Sequence, residues 1–503
     1  MRLQNIIFTI FTLLAAVLLI TLSIKGQFGY PVYFQTEKDT RVGGPFESTN
    51  SNSRYALTEA IVEKSIFFFD DKLAKFAAPD IVYNNGKYFS IFTPGVSFVG
   101  IPFYMLGKIF GMPQLFTYSM NAMFGLINMF LVIWLARKFG AGFYASLISG
   151  FLFLFATNSL AYALTFTQHQ LSTTLILLAL INAIGKRTFA KNILIGLIFS
   201  AGILVDIPNG LMMMPIVIYV FAKHFQGKQE QNKSTNFSLR LVVLSGIITG
   251  IIPLLVLFGW YNYQTTGSYT KIGQFIGRAN YPANELEVPT PKNPNRKLFP
   301  YDTRKQLNGF YILLLSNERG WLIYSPVILI GIIGLYTAYR DKQKRNLAVL
   351  STSIVLITII SYSMFGDPWG GWSFGPRYLI PAAAIMSSAI GVAVTKYKNN
   401  ILFVLIFILF AAYSLAISSL GALTTNAIPP RVEAVNLPNP IPYTYEYNLQ
   451  FASDNFSSSL FYNLFLSGKI SAKTYLFSFY IISISTLSVI LLFELINKKK
   501  EQQ

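Results

Sequence analysis

Long apolar runs recur along the chain, with polar stretches between them. A run of about twenty apolar residues crosses a bilayer as a helix, whose backbone hydrogen bonds are satisfied internally. The pattern therefore predicts an all-α polytopic membrane protein with about 12–13 transmembrane helices. The predicted segments are 6–24, 93–111, 116–136, 141–160, 167–184, 190–205, 206–224, 240–262, 321–339, 346–365, 375–394, 400–421 and 474–497.

Lysine and arginine in the loops orient these helices, because cytoplasmic loops carry an excess of both. From residue 185 onward the basic clusters fall on alternate loops, at 185–191, 222–233, 339–345, 395–400 and 498–500. Four regions are then expected outside the membrane, namely 206–209, 263–320, 366–377 and 422–473.

The N-terminal part does not fit this alternation. If Arg2 and the basic stretch 136–140 are both cytoplasmic, one segment between them cannot cross fully. The candidate is 93–111, which begins with Thr93-Pro94-Gly95 and contains Pro102, because proline and glycine favour a shallow or re-entrant element. The alternative is that 136–140 faces outward against the charge rule.

The apolar pattern also divides the chain into regions. They are a first transmembrane helix, expected to be a retained signal anchor (1–24), an acidic extracytoplasmic loop with amphipathic helices (25–92), an N-terminal membrane core (93–262), a basic extracytoplasmic loop (263–320), C-terminal transmembrane helices (321–421), an extracytoplasmic loop (422–473), and the last transmembrane helix with a cytoplasmic tail (474–503).

Composition narrows the possible chemistry. The chain is 53% hydrophobic and 12% charged, against roughly 25% charged residues in soluble domains. It has no cysteine, which excludes disulfides and thiolate nucleophiles, and only two histidines, which disfavours a histidine metal centre. Much of the net charge of +19 lies in loops that set topology, so we expect no nucleic-acid partner.

The loop after the first apolar run concentrates carboxylates. It holds eight of the 21 acidic residues, namely Glu37, Asp39, Glu47, Glu59, Glu63, Asp70, Asp71 and Asp80. Within it, Ser53–Lys64 has apolar residues at helical spacing, which predicts an amphipathic helix on the membrane surface. Carboxylates at that depth suit a general base for a hydroxyl acceptor, although solvated loop charges are the commoner explanation for any one of them.

Two further groups of residues bear on chemistry. The stretch 367–378 (DPWGGWSFGPRY) puts Asp367, Trp369, Trp372, Arg377 and Tyr378 between two membrane segments. An arginine there suits a phosphate oxygen, and the tryptophans could stack on a sugar or lie in the interfacial aromatic belt. Polar residues also lie at the ends of apolar segments, where they face a cavity, find a partner or lie at the interface, as expected for His169, Asp206 and Arg319.

The order of these motifs resembles a known family. One helix, an acidic outer loop, an SRYAL helix that contains Arg54, a GKYFS…PG stretch, a histidine before an apolar helix, a D-x-P turn, RGWLIYSP and WGGWSFGPRYLIP follow one another. This is similar to the GT-C superfamily of membrane glycosyltransferases, in the branch of protein O-mannosyltransferases and lipid A aminoarabinose transferases. The resemblance spans residues 1 to about 395.

The resemblance implies a polyprenyl-phosphate-linked sugar as donor, inversion at the anomeric carbon and chemistry on the outer face of the membrane. It implies a base among Asp80, Glu47, Asp39 and Glu59, with Asp80 matching a recurrent aspartate ahead of the GKYFS-like segment. Relatives often carry an acid where this chain has Asn50-Ser51-Asn52-Ser53, and a lysine where it has Phe92 and Thr93.

The resemblance also implies basic ligands for the donor phosphate. Arg377 matches the GPRY arginine, and Arg319 and His169 are further candidates. The expected substrate cavity is formed by Arg54, Asp206, Asp367, Trp369, Trp372 and Tyr378. The acceptor is a glycan, lipid or protein, and the expected location is the cytoplasmic membrane of a bacterium.

Two other functions remain open at this point. A transporter or flippase for lipid-linked sugars would suit the polar membrane residues, although the two halves show no repeat. An inactive scaffold would suit the missing acid before the SRYAL helix. A divalent cation, Mg²⁺ or Mn²⁺, is an open cofactor, since the acids present no definite ligand set.

Overall fold

The computed structural model describes residues 2–25, 43–185, 188–226, 233–279, 281 and 303–496. Two of the acids singled out above, Glu37 and Asp39, lie outside the described residues. Each of the thirteen predicted apolar segments coincides with a helix or a short series of helices.

The α-helices of the described residues are α1 (Arg2–Ser23), α2 (Thr49–Lys64), α3 (Asp71–Ala77), α4 (Gly95–Ile109), α5 (Pro113–Phe139), α6 (Phe143–Phe155), α7 (Ser159–Ala163), α8 (His169–Ala183), α9 (Phe189–Val205), α10 (Pro208–Gln226), α11 (Lys233–Thr266), α12 (Gly273–Ile276), α13 (Thr303–Leu314), α14 (Trp321–Tyr324), α15 (Leu329–Arg340), α16 (Arg345–Ser363), α17 (Ile380–Tyr397), α18 (Ile401–Leu423), α19 (Arg431–Ala434), α20 (Glu446–Ser453) and α21 (Ala472–Ile496). Short 3₁₀ turns lie at Pro326–Ile328 and Arg377–Leu379, and a π turn lies at Tyr462–Leu466.

A small antiparallel hairpin interrupts the helices. Strand β1 (Ile81–Asn84) pairs with β2 (Lys87–Ser90), with Ile81 opposite Ser90. Its two-residue turn is Asn85-Gly86, both with positive φ. Asn-Gly favours this turn because both residues tolerate the left-handed region.

The helices make a multi-pass membrane protein. Within the described residues, seven helices are long and apolar enough to cross a membrane, and six more apolar helices are shorter. The seven long helices are the candidate membrane spans of the described residues, and the shorter apolar helices pack against them.

One face, here called the loop face, is formed by the loop after α1, the α9–α10 corner, the α16–α17 loop and the segment after α18. Backbone hydrogen bonds join these regions: Ser373 donates to the Ile428 carbonyl and Ala279 to the Ile81 carbonyl, both over 2.8 Å. The opposite, basic face carries the ends of α5, α17 and α21, where Lys398 pairs with Glu494 at 2.7 Å. These are the loop groupings predicted from the charge pattern.

Helix α4 runs beside α2 along the loop face. Ser97 Oγ donates to the Arg54 carbonyl over 2.8 Å, and Tyr104 Oη and Lys108 Nζ both bind Glu63 over 2.9 Å. The stretch after α5 lies on the basic face, where the Gly142 amide donates to Thr395 Oγ1 over 2.7 Å. That segment 93–111 does not cross fully stays a prediction, and this packing along α2 favours it.

Close helix packing depends on glycine at several crossings. Where α9 crosses α11, a Cβ on Gly196 would lie 2.0 Å from the Ile247 carbonyl oxygen, and one on Gly250 would lie 2.0 Å from the Ile193 carbonyl oxygen. The two backbones approach this closely only because both positions lack a side chain.

The predicted surface helix needs a correction. A helix forms, but it starts at Thr49, and its residues from Asn50 to Ala60 are all buried. The predicted amphipathic pattern is wrong, because the polar side chains of this segment bind other protein groups instead of solvent. Helix α2 is thus an internal polar element under α3, α4 and the hairpin.

Candidate active site

The polar stretch at the start of α2 attaches the hairpin to the bundle. Asn52 Nδ2 donates to the Phe76 carbonyl over 3.1 Å, and Ser53 Oγ contacts both the Asp80 carbonyl at 2.7 Å and Ser90 Oγ at 2.8 Å. Both residues are fully buried. The stretch 50–53 has no carboxylate of its own, but its hydroxyl and amide side chains fix the backbone around the Asp80 carboxylate.

Asp80 lies directly before β1 and is 2% exposed. Thr49 Oγ1 donates to its Oδ2 over 2.6 Å, and Arg278 Nη2 forms an ion pair with its Oδ1 at 2.6 Å. The Arg278 side chain is half-exposed, so it covers a buried carboxylate from the solvent side. Arg278 belongs to the basic loop 263–320, so the described part of that loop lies against Asp80.

Arg54 lies one turn into α2 and is 1% exposed. Its Nη1 donates to the Asn50 side-chain oxygen, and its guanidinium carbon lies 4.0 Å from the centroid of the Phe92 ring. Among the described residues, its Nε and Nη2 have no hydrogen-bond partner. Burial lowers the pKa of Arg54 to about 10, while the charges of Asp206 and Asp80 act in the opposite direction.

The start of α8 and the α9–α10 corner bring three more polar groups to this region. Gln168 Nε2 donates to Asp206 Oδ2 over 3.2 Å, and His169 follows with its ring packed edge-on against Tyr162. His169 Nε2 is buried and has no partner within the described part of the chain. Burial raises the pKa of Asp206, whereas the Arg54 charge lowers it.

Arg377 reaches the same region from the turn before α17. It hydrogen-bonds to Tyr378, whose ring stacks on Tyr362 at 4.4 Å with parallel planes and lies 6.2 Å from the His169 ring. The Arg377 Nε is buried without a partner in the described structure. Gly370 makes room for it, because a Cβ there would lie 2.9 Å from that nitrogen.

Two other members of the 367–378 motif lie further out. Asp367 Oδ1 accepts from the Gly370 amide over 3.1 Å, which closes a turn. Trp372 is 39% exposed and donates from Nε1 to Glu433 over 2.6 Å. Trp372, expected in the cavity, therefore lies on the loop-face surface.

Arg319 was expected to bind the donor phosphate, but its donors are directed at the loop instead. Its Nε donates to the Trp369 carbonyl and to Ser373 Oγ, and its Nη2 donates to the Gly371 and Ile428 carbonyls, at 2.7–3.3 Å. Its Nη1 donates to the Glu318 carbonyl over 2.7 Å. All three nitrogens are engaged, so Arg319 holds the 369–373 loop in place.

Glu47 was a candidate base, and its surroundings fit a structural role better. Its Oε1 accepts from the Asn426 amide at 2.7 Å and pairs with Lys25 Nζ at 3.4 Å, and its Oε2 accepts from the Gly43 amide and Thr425 Oγ1. Both side chains of the ion pair are fully buried, and burial lowers the pKa of Lys25 while Glu47 opposes that shift. Glu59 is 9% exposed on α2.

The residues present do not make a recognisable metal site. Among the described residues, no three histidine, aspartate or glutamate side chains converge on one point. The charges of the site come instead from two arginines and two aspartates, contributed by α2, the residue before β1, the α9–α10 corner and the turn before α17.

The arrangement can bind an anion beside a carboxylate. Arg54, Arg377 and His169 contribute four buried nitrogens without a hydrogen-bond partner among the described residues, and guanidinium groups bind phosphate oxygens strongly. Asp80 lies within electrostatic range of Arg54. The site can therefore bind an anionic group beside a carboxylate that can accept a proton.

Sequence reasoning missed several members of the site. Arg278 was one of many loop cations, and Gln168 and Tyr162 were unremarkable polar positions beside apolar runs. In this segment, only the neighbouring His169 was singled out from the sequence. No local pattern marked Thr49, because its bond to Asp80 joins positions 31 residues apart.

Comparison with known proteins agrees on the fold. No protein-family model matches the chain, and no curated protein matches it. A crystal structure of ArnT from Cupriavidus metallidurans in the apo state superposes with a TM-score of 0.50 at 14% identity, covering 97% of this chain and 77% of that one. The same protein bound to undecaprenyl phosphate gives 0.49 at 14%, covering 97% and 78%. The chain therefore has the polytopic helical fold of ArnT, which confirms the all-α membrane bundle expected from its sequence.

Proposed function

We propose that this protein is a membrane glycosyltransferase that transfers a sugar from a polyprenyl-phosphate donor to an acceptor hydroxyl. The observation that carries the proposal is Arg54, a 1% exposed guanidinium with two nitrogens that lack a partner among the described residues. Leaving buried donors of a charged group unpaired is costly. An anionic ligand that completes their hydrogen bonds explains why they are kept.

The phosphate of the donor would bind between Arg54 and Arg377, with His169 Nε2 as a third contact. In the transfer, the bond between the anomeric carbon and the phosphate oxygen breaks, and its electron pair stays on that oxygen. The negative charge that develops there is what the two guanidinium groups stabilise. Donors fixed in a buried site are worth more at this point than donors in water.

Asp80 would take the proton of the acceptor hydroxyl as its oxygen attacks the anomeric carbon from the side opposite the phosphate. A single displacement of this kind inverts the configuration at that carbon. Thr49 holds one carboxylate oxygen, and the half-exposed Arg278 covers the other until the acceptor approaches. Asp80 is thus the proposed base, and Glu47 is proposed to hold the loops together.

The loop face is proposed to lie outside the cytoplasm. The basic face carries Arg137, Lys138, Lys344 and Lys398, and such clusters remain on the cytoplasmic side. A lipid-linked sugar in the outer leaflet would then reach the site from the membrane, and the acceptor, a glycan, lipid or protein, would arrive from outside.

The test is a transfer assay in membranes or nanodiscs with a radiolabelled polyprenyl-phosphate hexose or pentose. Arg54→Gln and Arg377→Gln should each lower kcat/KM by about 10²–10³, the usual effect of losing one donor to a developing oxyanion. Asp80→Asn should lower kcat by about 10²–10⁴. Arg340→Gln, on the basic face, is the matched control.

Two outcomes would redirect the assignment. Movement of the lipid-linked sugar across the bilayer without glycan product would favour a flippase. Donor binding without either activity in the wild-type protein would favour an inactive scaffold. Wild-type rates in Arg54→Gln would refute the phosphate site.

A further inference from the structure

Asp206 is a buried carboxylate that the proposed transfer does not use. It caps α9 at the loop face and is 8% exposed. The first turn of α4 separates it from α2: Thr93 Oγ1 donates to the Val205 carbonyl over 3.0 Å, and Ser97 Oγ donates to the Arg54 carbonyl. Asp206 and Arg54 therefore flank the same turn of α4.

The protein compensates the Asp206 charge only in part. Two neutral amides donate to it, the Gln168 side chain to Oδ2 and the backbone N–H of Ile207, and the cations within electrostatic range are Arg54 and Arg377. The carboxylate thus opposes the two groups that would bind the donor phosphate. A negative charge beside a phosphate site weakens that site, so it calls for an explanation in terms of the ligand.

The charges of the site add up to a small positive number. Arg54 and Arg377 contribute two positive charges and Asp206 one negative charge. Asp80 is balanced by Arg278, and the more distant Asp367 and Arg319, both within range of Arg377, balance each other. With His169 uncharged and Asp80 ionised, as it is before transfer and again once its proton has gone to solvent, the site carries a net charge of about +1, counted over these side chains.

The two lipids of the reaction differ in charge by about one unit. The donor is a phosphodiester with one negative charge. When the acceptor oxygen bonds to the anomeric carbon, the bond to phosphate breaks and the acceptor proton goes to Asp80, so the lipid leaves as a phosphate monoester. A phosphate monoester carries about −1.5 to −2 at pH 7.

We propose that Asp206 matches the charge of the phosphate site to the single negative charge of the donor and thereby promotes release of the more highly charged lipid phosphate. The inference rests on the proposed function and assigns Asp206 as a positioning residue that acts through Arg54 and Arg377. Without Asp206 the site would carry about +2, which fits the product better than the donor.

Removing this charge has a distinctive kinetic signature. Asp206→Asn should tighten binding of the lipid phosphate monoester at least about tenfold, as expected for one unit charge within about 10 Å at an effective dielectric constant near 20. Binding of the diester should tighten less, because it carries less charge. We therefore expect a lower KM for the donor, a lower kcat limited by release, and stronger product inhibition.

The test compares two probes on purified full-length protein in nanodiscs: a polyprenyl phosphate and its methyl phosphodiester, by calorimetric titration. Asp206→Glu, which keeps the charge, should retain the wild-type ratio of the two affinities. Asp341→Asn, the same chemical change in an exposed turn of the basic face, should leave both affinities unchanged. Asp206→Ser, a second neutral replacement with a smaller side chain, should tighten the monoester more than the diester, as Asp206→Asn does.

The results separate this inference from the proposed function. If the wild-type protein binds neither probe, the proposed function itself fails. If it binds donor and transfers sugar, but Asp206→Asn leaves the monoester-to-diester ratio within twofold of wild type, only the role of Asp206 is refuted. If Asp206→Asn does not fold, Asp206→Ser decides, and an unchanged ratio there overturns the inference.

Discussion

Replacing Glu47 with glutamine separates a structural carboxylate from a catalytic one. The side chain is 1% exposed and receives hydrogen bonds from Gly43, Thr425 and Asn426 in addition to its ion pair with Lys25. Glutamine has almost the same shape but only one accepting oxygen. Its NH₂ group would face a donor on one side, and the buried Lys25 ammonium would lose its counter-charge.

The expected cost follows from these contacts. Breaking a buried ion pair by removing one partner costs about 3–5 kcal/mol, because the remaining charge stays buried without compensation. The ion pair is long at 3.4 Å, which favours the lower part of this range, but at least one hydrogen bond to the lost oxygen is replaced by donor–donor repulsion. We therefore expect about 3 kcal/mol of lost stability.

Thermal unfolding in detergent, followed by tryptophan fluorescence, measures the stability, and transfer per folded molecule measures the chemistry. Glu47→Gln should lower the unfolding temperature clearly while the folded fraction keeps most of its activity. Asp80→Asn should show the reverse. The double variant Lys25→Met/Glu47→Gln should recover part of the loss, because it removes both buried charges. A Glu47→Gln protein of wild-type stability with transfer reduced a hundredfold would refute the structural role.

Three further changes probe the scaffold. Arg319→Lys should destabilise the 369–373 loop, because lysine cannot reach five acceptors at once and each hydrogen bond to a charged group is worth about 1.5–3 kcal/mol. Faster proteolysis in that loop would report the loss of stability, and an unchanged digestion pattern would contradict it. Gly196→Val should cost about 1–3 kcal/mol by forcing α9 away from Ile247 of α11, visible as a lower unfolding temperature, whereas an unchanged temperature would show that the crossing adapts. Tyr362→Leu removes the ring stacked on Tyr378, which hydrogen-bonds to Arg377. The kcat/KM for the donor should therefore fall about threefold to tenfold. An unaltered value would show that Arg377 does not need this support.

Most of the fold could be predicted from the hydrophobic pattern. The lengths of the apolar runs predicted the helices, and the spacing of the basic loops predicted which loops would lie together. These features depend on local chemistry, since a membrane helix satisfies its own backbone and loop charge sets its direction.

The burial of helix α2 could not be predicted in this way. Its polar residues appear solvent-facing in a linear pattern, yet Asn52 and Ser53 are buried because their partners, Phe76 of α3 and Asp80 before β1, lie 24 and 27 residues later in the chain. No local pattern contains that information.

Which residues lie in the candidate site could be predicted from their types, but what each of them does there could be predicted less well. Arg54, Asp80, His169, Asp206 and Arg377 do lie in one region, as expected for rare polar residues in an apolar chain. Arg319 and Glu47 are equally rare and buried, but their partners are backbone groups of distant loops. Whether a buried charge faces a cavity or a carbonyl depends on tertiary contacts.

The contacts of Glu47 also constrain the order in which the molecule is built. Lys25 and Glu47 emerge from the ribosome early, whereas Thr425 and Asn426 follow only after α18. Until then Glu47 lacks its partners Thr425 and Asn426, and the first loop is not yet attached to the segment after α18. A chain truncated before α18 would keep the contacts of Asp80, which come from Thr49 and Arg278, but would leave the buried charge of Glu47 with fewer partners.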